Sequence, residues 1–177
     1  MAAATEIVTA LATQFPDLSF DLKPLLMRGR VPGDQFYIRV EPDRLVEVLT
    51  FLRDDPATKF EQLVDLTCID YLNFPDATDR YGVIYSLLSH THNHRIWIKA
   101  FVNDPAPSIS SVTSIWKAAD WMEREVFDMF GVVFEGHPDL RRILTWDGFK
   151  AHPLRKDYPL RGRGERENYE VVTRDSA

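Results

Sequence analysis

Between Gln35 and Val102 the chain repeats one pattern: a short stretch rich in β-branched and aromatic residues, closed off by polar, turn-forming residues. In "QFYIRV", Phe36, Ile38 and Val40 share one face, as a half-buried strand requires. "QLVDLTCIDYL", "YGVIYSLL" and "RIWIKAFV" have the same character, and the last two are separated only by "SHTHNH", short enough for an antiparallel hairpin. One helical segment interrupts the series. Pro42 takes its first position after Glu41, Leu45, Val48, Leu49 and Leu52 recur at helical spacing, and "RDDP" closes it. A chain of this kind buries its strand faces by laying helices against a sheet. The expected fold is α+β, an α/β sandwich with a mixed or antiparallel β-sheet of about four strands and packed helices, followed by an extended C-terminal arm.

The opening "MAAATEIVTALATQF" carries Glu6 and lacks the basic start and apolar run of a signal peptide, so it reads as an amphipathic helix. In "SVTSIWKAADWMEREVFDMF", Ile115, Ala119, Met122, Val126, Met129 and Phe130 fall on one helical face, and Gly131 supplies the stop. After Gly136 neither period survives, and Pro138, Pro153 and Pro159 interrupt the chain. The predicted division is an α/β domain over residues 1–135 and an arm over 136–177. Leu140, Ile143, Leu144, Trp146, Phe149, Leu154, Tyr158 and Leu160 keep that arm too apolar for a disordered tail. From His137 to Arg163 it carries seven Arg or Lys against three Asp, in a chain of net charge −6. Anchors alternating with cations suit a segment lying in a groove of another protein. Read this way, Arg141, Arg142, Arg155 and Lys156 face a partner.

Several function classes are set aside by composition. A single cysteine, Cys68, allows no internal disulfide and no ordinary iron–sulfur cluster, which needs about four thiolates. No glycine-rich strand-to-helix loop offers a seat for NADH, flavin or ATP, since "RGRGE" lies in the arm. The acidic balance argues against a nucleic-acid binder. No stretch approaches the roughly 18 apolar residues of a membrane span, so a soluble or peripheral protein made in the cytoplasm is expected.

The acids of "EREVFD" invite an acid–base pair, but Glu123 and Glu125 diverge by roughly 200° on a helix and cannot face one substrate. Asp128 stands one turn beyond Arg124, the spacing of a surface ion pair. His90, His92 and His94 alternate, as zinc ligands on a strand could, yet in a hairpin turn they need not converge. Both His137 and His152 precede a proline, which pushes them toward extended backbone at bends of the arm. Cys68, in a strand pattern, reads as a small core residue. A stand-alone hydrolase using Glu125 and His137 is the alternative from a different class.

"WKAADWMEREVFDMFGVVFEGHPDLRRIL" followed by "GFKAHPLRKDYPLRG" resembles the C subunit, or 30 kDa subunit, of the proton-pumping NADH-quinone oxidoreductases, respiratory complex I. The resemblance covers Trp116 to Gly162 and implies a non-catalytic scaffold subunit of the peripheral arm, without cofactors of its own. It implies that FMN and iron–sulfur clusters sit on partner subunits, that the D subunit is the direct neighbour with the B and I subunits close by, and that the membrane is reached from the cytoplasmic side through the complex. The family signature falls on Glu123, Arg124, Glu125, Asp128, Gly131, His137, Pro138, Arg141 and Arg142, then on His152, Pro153, Arg155, Lys156 and Asp157, read as structural and interface positions. For a chain ending at Ala177 the resemblance leads to the expectation of the unfused form, in which the C and D subunits are separate chains. The equivalent subunit of a photosynthetic NDH complex or a membrane-bound hydrogenase shares the same signature.

Overall fold

The structure is a computed structural model, and it describes residues 2–26 and 32–164. Helix α1 (Ala2–Gln14) leads to strands β1 (Leu22–Leu26) and β2 (Pro32–Arg39). A single 3-10 turn over Pro42–Arg44 then feeds helix α2 (Leu45–Asp54). Strands β3 (Gln62–Asp70), β4 (Tyr81–Ser89) and β5 (His94–Val102) follow, then β6 (Ser108–Ser110), helix α3 (Ala119–Phe130) and β7 (Val133–Glu135). The main sheet has five strands in the order β1-β2-β5-β4-β3; β2 and β5 run parallel and every other pair is antiparallel. β6 and β7 form a separate parallel pair.

The four strands read from the sequence are β2 to β5, and the β4–β5 hairpin closes in register through a turn in which Asn93 adopts φ +53°. The fifth, β1, went unread because Pro24 stands in its middle. At a sheet edge the missing N–H costs no ladder bond, and the register slips between Pro24 and Leu26. The last helix is also shorter than its apolar spacing suggests. Residues 111–118 form turns instead, because Ser111 donates its N–H to the Glu135 carbonyl (2.8 Å) and Val112 to the Glu123 carboxylate (2.7 Å).

All three helices pack on one side of the sheet. Ile7 and Leu11 of α1, Leu45, Val48, Leu49 and Leu52 of α2, and Ala119, Val126, Met129 and Phe130 of α3 form one buried cluster with Ile38, Cys68, Tyr85, Ile96, Ile98 and Ala100 of the strands. Every buried member of that cluster precedes Gly136; from the arm, only Leu140 packs against it, and that partly. After Glu135 the chain turns at Gly136 (φ +81°), and no described residue from there to Gly164 is helix or strand.

Candidate functional site: buried carboxylates at the base of the arm

The arm is shaped by a carboxylate at the end of α3. Asp128 is fully buried, and its Oδ2 accepts the backbone N–H groups of Ile143 (3.1 Å), Leu144 (2.7 Å) and Thr145 (2.8 Å). Its Oδ1 accepts from the Thr145 hydroxyl and from Arg142 Nη1 at 2.6 Å. Burial alone pushes this carboxyl up, but the Thr145, Leu144 and Arg142 donors outweigh it and hold the group down at about 2. Asp128 is therefore no surface ion pair. Arg124, the partner expected from helical spacing, instead donates to the carbonyls of Arg141 (3.2 Å) and Arg142 (3.3 Å).

Gly131 is where the arm crosses the helix terminus. Its φ of +77° is left-handed, and a Cβ there would lie 2.5 Å from Arg155 Nη2 and 2.6 Å from the His152 ring. His152 Nδ1 donates to the Asp128 carbonyl (3.0 Å), Leu154 N–H to the Met129 carbonyl (3.1 Å), and Arg155 Nε to the Phe130 carbonyl. The arm thus satisfies carbonyls that the helix end leaves without intrahelical donors. Burial keeps His152 below the usual histidine range, favouring neutral imidazole.

A second carboxylate, Asp70, ends β3 in phase with buried Leu66 and Cys68. Its Oδ2 accepts the Lys156 N–H (2.8 Å) and lies 3.4 Å from Arg80 Nη2; its Oδ1 accepts the Leu72 N–H (3.0 Å). Arg80 also reaches Asp157 (2.9 Å) and Asp104, so one guanidinium ties arm to sheet. Sequence reasoning missed Asp70 and Arg80. The available signal was an acid standing where the strand's alternation calls for an apolar residue.

The third, Glu123, is fully buried and accepts from Val112 N–H and Ser111 Oγ (2.7 Å). Burial raises its carboxyl above the ordinary value, against the lowering effect of those two donors. Beside it His137, its side chain fully buried, directs Nε2 at the Asp120 carbonyl (3.0 Å) while Nδ1 accepts the Asp139 N–H (3.0 Å). Both ring nitrogens are taken. Glu125, Pro138 and Lys156 are exposed, Pro153 is half-buried, and exposed Arg141 pairs with Asp139 (2.9 Å).

Asp128 spends its acceptor positions on five donors, Asp70 on two backbone N–H groups and Arg80, and His137 engages both ring nitrogens, so these groups are occupied in joining one chain segment to another. The chemistry of this region is attachment. Arg142 and Arg155, partner-facing cations when read from sequence, bond within the chain through Nη1 and Nε respectively. At the hairpin, His90 Nε2 meets Gln62 Oε1 (2.7 Å) and His92 Nε2 the Pro56 carbonyl (2.8 Å). Among the described residues no group of three or more His, Cys, Asp or Glu is placed to hold a metal ion.

The family model described as the respiratory-chain NADH dehydrogenase 30 kDa subunit matches residues 38–164, which include the three carboxylates and the arm to its last described residue. The chain is 53% identical to the C subunit of the NADH-quinone oxidoreductase of Caulobacter vibrioides, over 67% of its own length and 58% of that relative's. The match therefore spans less than two thirds of the relative. A solved trypsin-resistant fragment of Nqo5 superposes with a TM-score of 0.63 at 27% identity, covering 76% of this chain and 99% of the fragment. A chain from the membrane-bound sulfane sulfur reductase, an archaeal respiratory membrane complex, shares the fold with a TM-score of 0.71 at 22% identity, over 96% of this chain and 93% of its own.

Proposed function

We propose, since the chain belongs to the family of the respiratory-chain NADH dehydrogenase 30 kDa subunit, that it is a non-catalytic scaffold subunit in the peripheral arm of a proton-translocating NADH-quinone oxidoreductase. In this reading FMN and the iron–sulfur clusters that carry electrons from NADH to quinone belong to partner subunits. Residues 1–135 are the body, and residues 136–177 are the arm that docks on the neighbour corresponding to the D subunit, with the B and I subunits nearby. The chain meets the membrane through the complex, on the cytoplasmic side; no helix among the described residues is long and apolar enough to cross a bilayer.

One observation carries the reading: the arm that the body holds so firmly turns four of its apolar side chains outward. Leu144 is 63% exposed and Leu154 50%, Trp146 is exposed, and Leu160 is entirely so. Apolar groups gathered on an ordered segment mark a surface that another protein covers. Fixing the arm on the body before it meets its partner also reduces the ordering entropy that binding would otherwise cost.

The test is a double substitution, Leu154→Asp with Leu160→Asp. Both side chains are exposed in the free chain, so its melting temperature should change little, while the chain recovered in assembled complex on native gels should fall about tenfold or more. Undiminished assembly would remove the arm as the docking element.

A further inference from the structure

The helices cover one face of the five-stranded sheet; the other carries no helix among the described residues. Successive strand residues point to opposite faces, so this second face bears Tyr37 and Arg39 of β2 and Arg95, Trp97, Lys99 and Phe101 of β5. In a protein of net charge −6, its centre is basic. Arg39 and Lys99 are direct register partners in the parallel β2–β5 pair, an arrangement of like charges that works against the sheet. Arg39 is compensated by Asp79 at 3.2 Å and lies over the Phe101 ring (4.7 Å to the centroid). Lys99 has a ring but no carboxylate. It is half-buried, its Nζ sits 3.9 Å from the centre of the Tyr37 ring, and no carboxylate among the described residues pairs with it. Burial pulls its ammonium below the ordinary lysine value.

Around Lys99 the surface is concave. A cleft of about 430 Å³ is lined by Lys23, Pro24, Leu25, Tyr37 and Lys99. On the other side of Arg39, Tyr71 folds back over the sheet so closely that a Cβ at Gly82 would lie 2.8 Å from its ring. Next to it Phe74 is left 54% exposed. The face thus combines an unneutralised cation, a cleft beside it and an apolar rim.

We propose that this open sheet face is a second docking surface, which receives an acidic segment of a protein partner and pairs one of its carboxylates with Lys99. Charge complementarity selects the occupant. A carboxylate supplies the anion that Lys99 lacks and relieves its repulsion with Arg39. Single-stranded RNA would need aromatic faces on which to stack bases. Here the Tyr37 and Phe101 rings are already faced by Lys99 and Arg39. The surface involves none of the arm residues, so it stands or falls separately from the contact proposed for the arm.

A water-soluble carbodiimide tests it directly, because it joins a lysine amine to a touching carboxylate by an amide bond. The complex purified through a tag on this chain is treated and digested, and Lys99 is expected in an amide link to Asp or Glu of another subunit. Lys99→Met should weaken retention of that neighbour about tenfold or more, Lys99→Arg should restore it, and the free chain should melt no lower with Met. Partners that co-purify while Lys99 stays unlinked, and reacts with an acetylating reagent as fast as in the free chain, overturn this inference alone. A link only to residues 165–177 of the same chain, or quenching of Trp97 by oligouridylate, also overturns it. A tagged chain recovered without any partner overturns both this inference and the scaffold function.

Discussion

Asp128 and Glu123 are two buried carboxylates five positions apart on one helix, and their surroundings push them in opposite directions. Asp128 collects three backbone N–H groups, a hydroxyl and a guanidinium; Glu123 collects one N–H and one hydroxyl. Held at about 2 against an ordinary 3.8, Asp128 contributes stability that is present above 3.8 and lost as pH falls toward its folded value. Glu123, raised above 4.5, does the reverse: its contribution is present below 4.5 and lost as pH rises through its folded value. Asp128→Asn should therefore cost about 3 to 5 kcal/mol at pH 7, since the amide turns a donor toward donors and leaves Arg142 unpaired. Thermal melts would register a fall of roughly 10 °C or more. Glu123→Gln keeps an acceptor for Val112 and cannot ionise. It should melt at or above the parent temperature at pH 7, with the difference closing below 4.5. Equal losses in both variants would refute the contrast.

At the level of elements, the junction between α3 and the arm depends on a residue without a side chain. An alanine at Gly131 must hold a left-handed conformation, costing about 1 to 2 kcal/mol, and its methyl must displace Arg155 and His152. Gly131→Ala should consequently loosen the segment over residues 152–157 while the sheet stays intact. Hydrogen exchange would show faster exchange at the Leu154 and Lys156 amides, with β4 and β5 protected as before. Protection unchanged at Leu154 would mean that the helix end tolerates the methyl and that the arm is held from elsewhere.

Across the whole molecule, attachment and core are separate. The arm is bound by polar clamps at Asp128, Asp70 and Arg80, whereas the main apolar cluster lies before Gly136 with partly buried Leu140 against it; buried Phe149 packs with Trp146 and Tyr158 of the arm itself. A chain of residues 1–135 should fold with the same β-sheet signal by circular dichroism and a lower melting temperature, having lost the arm's donors to Asp128. It should also fail to enter the complex. A truncated chain that cannot fold would show that the arm completes the body's core, and the proposed division would be wrong.

Period and local chemistry made part of this legible in the residues themselves. Alternation marked β2 because one of its faces enters the common core, β-branched and aromatic content marked β3 to β5, of which β4 is buried along nearly its whole length, and the spacing of Leu45, Val48, Leu49 and Leu52 marked α2. Gly131 announced a helix stop because few other residues adopt its φ without strain. Those are properties of a segment taken alone. β1 was hidden because a proline edge strand has no signal until its neighbour is known, and residues 111–118 carry a helical apolar spacing that two hydrogen bonds from elsewhere override. Arg142 reads as a partner-facing cation until Asp128, fourteen residues away, is seen to hold it. The basic sheet face was equally invisible, since only pairing β2 beside β5 sets Arg39 against Lys99. Burial patterns are written locally because every apolar group seeks the same solvent-free interior, but the partner of a buried charge is chosen by whatever donor the fold brings within three ångströms, and that only the tertiary structure decides.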